Sequence, residues 1–126
     1  MERFVVELSQ LRKTWIFDYD GTIVKHNGHK IGEDILLNGV KNFINEINKE
    51  DVIVIMTARK EQDRKTIEQF LLNNSIRFDH LILDLPVGER ILINDKKPRG
   101  LLTSVSINLQ RDEGLEKLVI VENKEK

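Results

Sequence analysis

The sequence predicts an α/β fold with a mainly parallel β-sheet. Three features indicate it: apolar runs of strand length, two stretches with helical periodicity between those runs, and polar residues directly after several runs. Strands that alternate with helices form mainly parallel sheets with right-handed crossovers. The 126 residues match the common size of one domain, so we expect a single domain over residues 1–126.

The predicted elements follow the order β-α-β-α-β-β-β. The predicted strands cover 14–17, 52–56, 80–83, 91–93 and 105–109, and the predicted helices cover about 37–49 and 60–74. Each helix carries one apolar face at i, i+3 and i+4 spacing. The run of 52–56 is continuously apolar and β-branched, which favours a parallel strand covered on both faces. The first dozen residues are left open, and 115–121 could form either a strand or a helix.

Composition excludes several classes of protein. The formal charge is −1, with 20 basic and 21 acidic residues. Because the sequence lacks an extended block of Lys and Arg, we do not expect it to bind nucleic acids. No apolar stretch approaches the ~20 residues that span a bilayer, and the amino terminus lacks the pattern of a secretory signal. We therefore expect a cytoplasmic protein. Since the chain has no cysteine, its chemistry would use carboxylates, hydroxyls, amines or histidines.

Polar residues follow three of the predicted strands. Asp18 and Asp20 come after the first strand, Thr57 after the second, and Asp95 with its neighbour Asn94 after the run of 91–93. Ligands of open α/β sheets bind beyond the carboxyl ends of the strands. Carboxylate oxygens suit a hard cation such as Mg²⁺, which also takes water and phosphate ligands. The sequence therefore predicts a magnesium and phosphate site at this edge.

The segment Trp15-Ile16-Phe17-Asp18-Tyr19-Asp20-Gly21-Thr22-Ile23 resembles the first motif of the haloacid dehalogenase superfamily of phosphatases. The order of Thr57 after Ile55-Met56 and of Asp95 after Ile93-Asn94 is similar to the later motifs, so the resemblance covers roughly residues 14–110. It implies a Rossmann-like three-layer sandwich. It also implies a Mg²⁺-dependent phosphomonoester hydrolase that acts through an aspartyl phosphate.

The resemblance assigns a role to each matching residue. Asp18 would be the nucleophile and a metal ligand, and Asp20 would be the acid and base whose backbone carbonyl also touches the metal. Thr57 would hydrogen-bond a phosphate oxygen, and Asp95 would be the further Mg²⁺ ligand. Further candidate contacts to the substrate are Gly21, Thr22, Arg59 and Lys60.

The sequence departs from the superfamily pattern in two places. The usual lysine before the last acidic strand end is missing, since Leu85 precedes Pro86 there. The candidates to replace its charge are Lys60, Lys65, Arg90, Lys96 and Lys97, of which Lys97 is favoured.

Neither insertion point has room for a cap domain, although 24–32 could form a small β flap. A capless site suits a homo-oligomer or a large substrate, and the run of 90–98 resembles proteins of bacterial surface-polysaccharide synthesis, which suggests a sugar phosphate.

Each motif also has a purely structural interpretation. Asp18 and Asp20 could form a solvated turn, Thr57 could cap the following helix, and Asn94-Asp95 could be a plain turn. His26 and His29 are expected to be solvent exposed, and the candidate lysines are individually expected to be surface charges. The rival functions are a catalytically weak binding or regulatory module of the same fold and a receiver-like signalling domain. The order of the Asp-x-Asp-Gly-Thr motif argues against the receiver.

Overall fold

The chain is α/β with parallel sheets. A computed structural model describes residues 2–28 and 32–123. The strands are β1 (Phe4–Ser9), β2 (Thr14–Asp18), β3 (Val52–Met56), β4 (His80–Ile82) and β5 (Leu118–Asn123). The helices are α1 (Val40–Glu46) and α2 (Arg64–Asn73), and a 3₁₀ turn (Glu61–Asp63) leads into α2. Among the described residues, no helix has the length and apolarity to cross a membrane.

The central sheet has the strand order β2-β3-β4, and both pairs are parallel. Asp18 lies opposite Met56, which lies opposite Ile82, so the three strands end at one edge. This confirms the strands predicted at 14–17, 52–56 and 80–83. The helices predicted at about 37–49 and 60–74 are also present, although both are shorter than expected.

One face of the central sheet carries the core. Phe17, Ile55 and Leu81 lie in register on this face, and all three are buried. The Phe43 ring of α1 packs edge-on against Trp15, with ring centroids 5.8 Å apart. Val40 and Ile44 of α1 and Ile67 and Leu71 of α2 belong to the same buried cluster.

The other face of the sheet is open. Ile16 is 50% exposed and Ile82 is 38% exposed. Two right-handed crossovers that advance in the same direction, β2 to β3 and then β3 to β4, place both helices on the same face. The expected cover on both faces of β3 is therefore not found among the described residues, and two helical layers are not seen there.

The strands predicted at 91–93 and 105–109 are wrong, because the chain leaves the sheet after β4. Asp84 has a positive φ of 60°, and its N–H donates to the Arg59 carbonyl, while the Leu85 N–H donates to the Thr57 carbonyl. The backbone is thus bound to the loop after β3 instead of continuing beside β4. Ile91 and Ile93 are 81% and 87% exposed. The apolar sequence of 91–93 predicted a strand, but the turn at Asp84 directs the chain away from the sheet.

The first and last strands form a separate two-stranded parallel sheet. Phe4 lies opposite Leu118, and Ser9 lies opposite Asn123. β1 falls in the dozen residues that the sequence left open. β5 overlaps the stretch of 115–121, for which the strand was one of the two expectations.

Two glycines lock the segment before β5 against the start of α1. A Cβ on Gly114 would overlap the Asn38 carbonyl oxygen, and one on Gly39 would lie 2.7 Å from the backbone nitrogen of Glu116. Both glycines have a positive φ, and the Leu115 N–H donates to the Asn38 carbonyl at 2.8 Å. The two backbones can approach this closely only without side chains.

Gly114→Ala is expected to lower the free energy of unfolding by about 2 to 4 kcal/mol, because the new methyl group meets backbone atoms and φ is +80°. Urea unfolding measures the change. Gly88→Ala is the matched control, since a Cβ there meets no described atom within 4 Å. Equal stability of the two variants would contradict the close approach at Gly114.

Candidate functional site

The loop after β2 holds two aspartates at the carboxyl edge of the sheet. Asp18 is the last residue of β2, and the Tyr19 N–H extends the pairing by donating to the Met56 carbonyl at 3.0 Å. The chain then reverses: the Tyr19 carbonyl accepts from the Val24 N–H, and the Gly21 N–H donates to the Val24 carbonyl at 2.7 Å. Gly21 has φ of 87°, which a residue without Cβ adopts at little cost.

Asp20 belongs to a buried ionic cluster with Arg59, Asp34 and Tyr19. Arg59 Nη2 lies 2.5 Å from Asp20 Oδ1 and 2.7 Å from Asp34 Oδ1, and its Nε also donates to Asp20 at 3.2 Å. Tyr19 Oη donates to Asp34 Oδ2 at 3.0 Å. The Arg59 and Asp34 side chains are only 7% and 4% exposed. One guanidinium therefore joins two carboxylates in a site nearly closed to solvent.

The surroundings of the cluster keep Arg59 protonated and keep the Tyr19 hydroxyl neutral. Burial by itself would lower the pKa of Arg59, but the hydrogen bonds to Asp34 and Asp20 outweigh it, so the pKa lies above its ordinary value. Burial and then the charge of Asp34 raise the pKa of Tyr19. Arg59 thus stays charged and Tyr19 stays a neutral donor. Among the described residues, no buried side-chain nitrogen or oxygen lacks a hydrogen-bond partner.

Asp18 lies outside this cluster and is 54% exposed. Arg90 Nη2 is 3.8 Å from Asp18 Oδ1, the cation nearest to this carboxylate among the recorded ion pairs of the described residues. Partial burial raises the pKa of Asp18, with a further upward contribution from Asp20, while Arg90 and His26 act in the opposite direction. Asp18 is therefore open to a ligand and sits between a negative and a positive neighbour.

The raised pKa of Asp18 has a consequence for stability. Because the folded state binds this proton more tightly than the unfolded state, ionised Asp18 lowers the free energy of unfolding above its folded pKa, and this penalty vanishes below the ordinary value of 3.8. Asp18→Asn is expected to stabilise the protein near pH 7 by roughly a few tenths of a kcal/mol, since water screens a half-exposed carboxylate. Urea unfolding measured from pH 7 downward should show the gain shrinking. A gain that grows toward acid pH would contradict this assignment.

Thr57 lies beside Asp20 but does not cap a helix. Its Oγ1 lies 3.4 Å from Asp20 Oδ2 and accepts the N–H of Arg59 at 3.1 Å, two residues ahead. The helical segment begins only at Glu61, whose N–H donates to Asp84 Oδ2. The interpretation of Thr57 as an N-cap is therefore wrong. Its hydroxyl instead bonds to the backbone two residues ahead and lies next to Asp20.

Within the described part of the chain, no hydrogen bond or ion pair joins Asp95 to Asp18. Lys97 Nζ lies 3.6 Å from Asp95 Oδ1, and both side chains are largely exposed. Thr103 holds this loop by donating to the Asp95 carbonyl and accepting from Asn94 Nδ2. In residues 2–28 and 32–123, no group of three acidic or histidine residues is arranged to hold a metal ion. Lys97, the favoured replacement for the missing lysine, thus pairs with Asp95, whereas Arg90 pairs with Asp18.

The remaining residues predicted to contact the substrate or to cover the site lie outside the ionic cluster. Lys60 Nζ lies 3.7 Å from Asp84 and is exposed, and Thr22 follows the glycine of the reversal and is half-buried. Of the predicted flap, Val24 forms isolated bridges to Asp20 and Leu36, without a regular strand in its described part. His26 is half-buried, contrary to its expected exposure, and its N–H donates to Asp112 Oδ1 at 2.7 Å. His29 lies outside the described residues.

Sequence reasoning missed Asp34 and Tyr19 of the cluster, and also Asp112, which accepts the His26 N–H. Asp34 stands in a loop with no strand before it, so no pattern distinguishes it from an ordinary turn residue. Tyr19 occupies the variable position of the motif, and Asp112 resembles a turn residue before Gly114. Arg59 was among the predicted contacts to the substrate, and in the structure its guanidinium binds Asp20 and Asp34 instead.

In comparisons with protein-family models, curated proteins and solved structures, no match to this chain was found. The chemical possibilities of the site are therefore inferred from its own side chains. An exposed carboxylate lies at a strand end, with a second carboxylate held in a buried cluster and an arginine at its other side. This set can attack an electrophile, take up a proton and attract an anion.

Proposed function

We propose that the chain is a cytoplasmic, Mg²⁺-dependent phosphomonoester hydrolase with Asp18 as its nucleophile, built on a Rossmann-like framework. One observation carries the proposal: the half-exposed Asp18 carboxylate lies at the carboxyl edge of the parallel sheet, 3.8 Å from the Arg90 guanidinium. Ligands of parallel α/β sheets bind at this edge. The resemblance of the surrounding Asp-x-Asp-Gly-Thr segment to phosphatases supports the same chemistry.

Asp18 supplies the bond-forming step of the proposal. Its carboxylate oxygen attacks phosphorus, the bond to the leaving oxygen breaks, and that oxygen takes up a proton. Water then attacks phosphorus in the aspartyl phosphate, which frees Asp18 and inorganic phosphate. The exposure of Asp18 gives both the phosphoryl group and the later water a path to it.

Asp20 serves the proton transfers. It accepts hydrogen bonds from Arg59 and Thr57, an arrangement that fixes its orientation beside Asp18. In the second step this oriented carboxylate would take a proton from the attacking water. The proton gained in this way is given to the leaving oxygen in the first step of the next turnover, so Asp20 is restored once per cycle.

The residues fit a bound Mg²⁺ ion. Mg²⁺ is held by one or two carboxylates together with water and phosphate, and Asp18 and the backbone carbonyl of Asp20 offer oxygen of this kind. When bound, the ion would neutralise the charge of the phosphoryl group and help to align it. Arg90 adds a second positive charge beside Asp18, which makes it our choice for the role of the missing lysine in place of Lys97.

The test is phosphate release by the purified chain across sugar phosphates, nucleotides and aryl phosphates, with Mg²⁺ or with a chelator. We expect release that depends on Mg²⁺, and a Mg²⁺-dependent rise in the unfolding temperature when a phosphate analogue is present. Asp95→Ala should reduce this rise if Asp95 joins the metal in the bound state. Activity that is equal with chelator would reject the metal-dependent mechanism.

A second candidate is a binding or regulatory module that turns over slowly. It is favoured by Leu85 at the position where a catalytic lysine is common and by the engagement of both Asp20 oxygens with Arg59. Such a module would still bind phosphate and Mg²⁺ at Asp18. Binding of both without release of phosphate from any ester would select this function.

A further inference from the structure

The outer sheet of β1 and β5 has two edges, and no further strand is bound to either of them among the described residues. Three or more strands, or packing against a helix, usually give a sheet independent stability. Both strands are mostly apolar, yet Phe4, Val5 and Val121 are 47%, 61% and 44% exposed. Apolar edge strands pair readily with a strand of another chain. The outer sheet therefore offers a place for a further strand.

The backbone of β1 presents every second residue to the free edge. The Phe4 N–H donates to the Lys117 carbonyl at 2.7 Å, so the peptide groups of Phe4 face β5. In a strand the N–H and C=O of one residue point to the same side, and the next residue points to the opposite side. The N–H and C=O groups of Val5 and Glu7 consequently point away from β5. An added strand must pair with these groups.

A second copy of the chain matches this edge when β1 pairs with itself in antiparallel orientation. The two-fold axis of such a pair passes through a residue that faces the edge, which in the middle of β1 is Val5 or Glu7. An axis at Glu7 would place two carboxylates opposite each other, which is unfavourable. An axis at Val5 places Arg3 opposite Glu7 twice, once on each side of the axis. The charges therefore select the register centred on Val5.

The side chains of this register are available for the contact. Arg3, Val5 and Glu7 lie at alternate positions on one face of the strand, and all three are exposed. The contact thus has an apolar centre with an ion pair at either end, and such directly opposite pairs are favourable in antiparallel sheets. Glu7 also accepts from Asn123 Nδ2 at 2.8 Å, but a carboxylate has acceptor sites for more than one donor.

The free edge of β5 is less suited to the same pairing. The Lys117 carbonyl faces β1, so the peptide groups of Leu118, Ile120 and Glu122 point to the other side. An axis at Ile120, in the middle of the strand, would place the Glu122 carboxylate opposite the apolar Leu118 side chain. Glu122 is also paired with Lys13 at 3.2 Å. The β1 edge is therefore the better interface.

We propose that two copies of the chain associate through β1, with Val5 on the two-fold axis, and so form a four-stranded sheet of order β5-β1-β1-β5. The inference uses no residue of the candidate site, so it is independent of the proposed function. A pair of six-residue strands buries less surface than a permanent dimer does, and we expect a dissociation constant of roughly 1 to 100 µM.

Sedimentation of the full chain from roughly 10 µM to 1 mM measures the association, and we expect the unmodified chain to dimerise over this range. Val5→Lys brings two ammonium groups together on the axis and should raise the dissociation constant more than about 30-fold. Leu72→Lys is the matched control, since Leu72 is 70% exposed on α2, and it should leave the dimer unchanged. A chain that stays monomeric throughout, or a dimer that Val5→Lys leaves intact, would overturn the proposal.

Charge reversal tests the register. Arg3→Glu makes carboxylates face each other across the interface, and Glu7→Arg makes guanidinium groups do so. Each change should therefore weaken the dimer about 5- to 30-fold. The two reversals combined in one chain restore both ion pairs, and the dissociation constant should return to within about 3-fold of the parental value. Circular dichroism checks the fold of each variant. A folded double variant that does not recover the dimer would overturn the register centred on Val5.

Discussion

Asp18→Asn is expected to abolish release of phosphate from every ester that the unmodified chain hydrolyses. An amide cannot form the aspartyl phosphate, and the near-isosteric side chain leaves the strand end intact. The loss should therefore exceed the roughly 10²- to 10⁴-fold effect that general acid–base catalysis supplies. Glu50→Gln is the matched control, because it makes the same chemical change in an exposed residue before β3, at the opposite end of the strand. Parental rates in Asp18→Asn would reject Asp18 as the nucleophile.

Asp20→Asn completes this experiment. With an activated aryl phosphate, the leaving group needs little protonation, so attack by Asp18 continues while hydrolysis of the aspartyl phosphate slows. Phosphorylated protein should then accumulate and be visible by intact-mass measurement. Asp20 also accepts hydrogen bonds from Arg59, so the fold of the variant is checked by circular dichroism. A folded variant without added phosphate mass and with parental turnover would remove Asp20 from the proton transfers.

Arg59→Met is expected to lower the free energy of unfolding by about 3 to 5 kcal/mol. The change leaves two carboxylates, Asp20 and Asp34, in a buried site without their shared cation. Urea unfolding at neutral pH measures the loss. Arg64→Met is the matched control, since Arg64 pairs with Glu61 and Glu68 at the surface, where water screens the ion pairs and their loss should change stability little.

A double-mutant cycle of Arg59→Met with Asp34→Asn distinguishes the ion pair from general packing. Because Asp34 is 4% exposed and bonded to Arg59 by two nitrogens, we expect a coupling energy of about 0.5 to 3 kcal/mol. Arg59 Cζ also lies over the Tyr19 ring, 4.9 Å from its centroid, and additive effects would show that Arg59 stabilises the fold through this contact and its aliphatic stem instead.

The sequence predicted those parts of the fold where a local pattern and the tertiary environment agree. Phe17 and Ile55 stand in apolar runs that end at polar residues, and both are buried in paired strands whose ends meet. The positions of Asp18, Asp20 and Thr57 at one edge follow from the parallel pairing of β2 and β3. This part of the candidate site could be predicted because it depends on strand ends alone.

The rest depends on contacts between distant residues. Whether Ile91 to Ile93 forms a strand is decided by the positive φ of Asp84 and by two backbone hydrogen bonds to the loop of 57–59. The pairing of Asp34 with Arg59 joins a loop to a strand end 25 positions away, and neither residue stands in a pattern that selects the other. The choice of Arg90 over Lys97 beside Asp18 likewise follows from the path of an irregular segment.

The pairing of β1 with β5 sets the order in which the molecule can assemble. Phe4 and Leu118 are 114 positions apart, whereas Thr14 and Val52, which join β2 to β3, are 38 positions apart. Closing the threefold longer loop costs about 1 kcal/mol more in chain entropy. Val5 remains 61% exposed, so little apolar burial offsets this cost. We therefore expect the central sheet and its loop of aspartates to form while the outer sheet is still open, and the outer sheet to separate first when the protein unfolds.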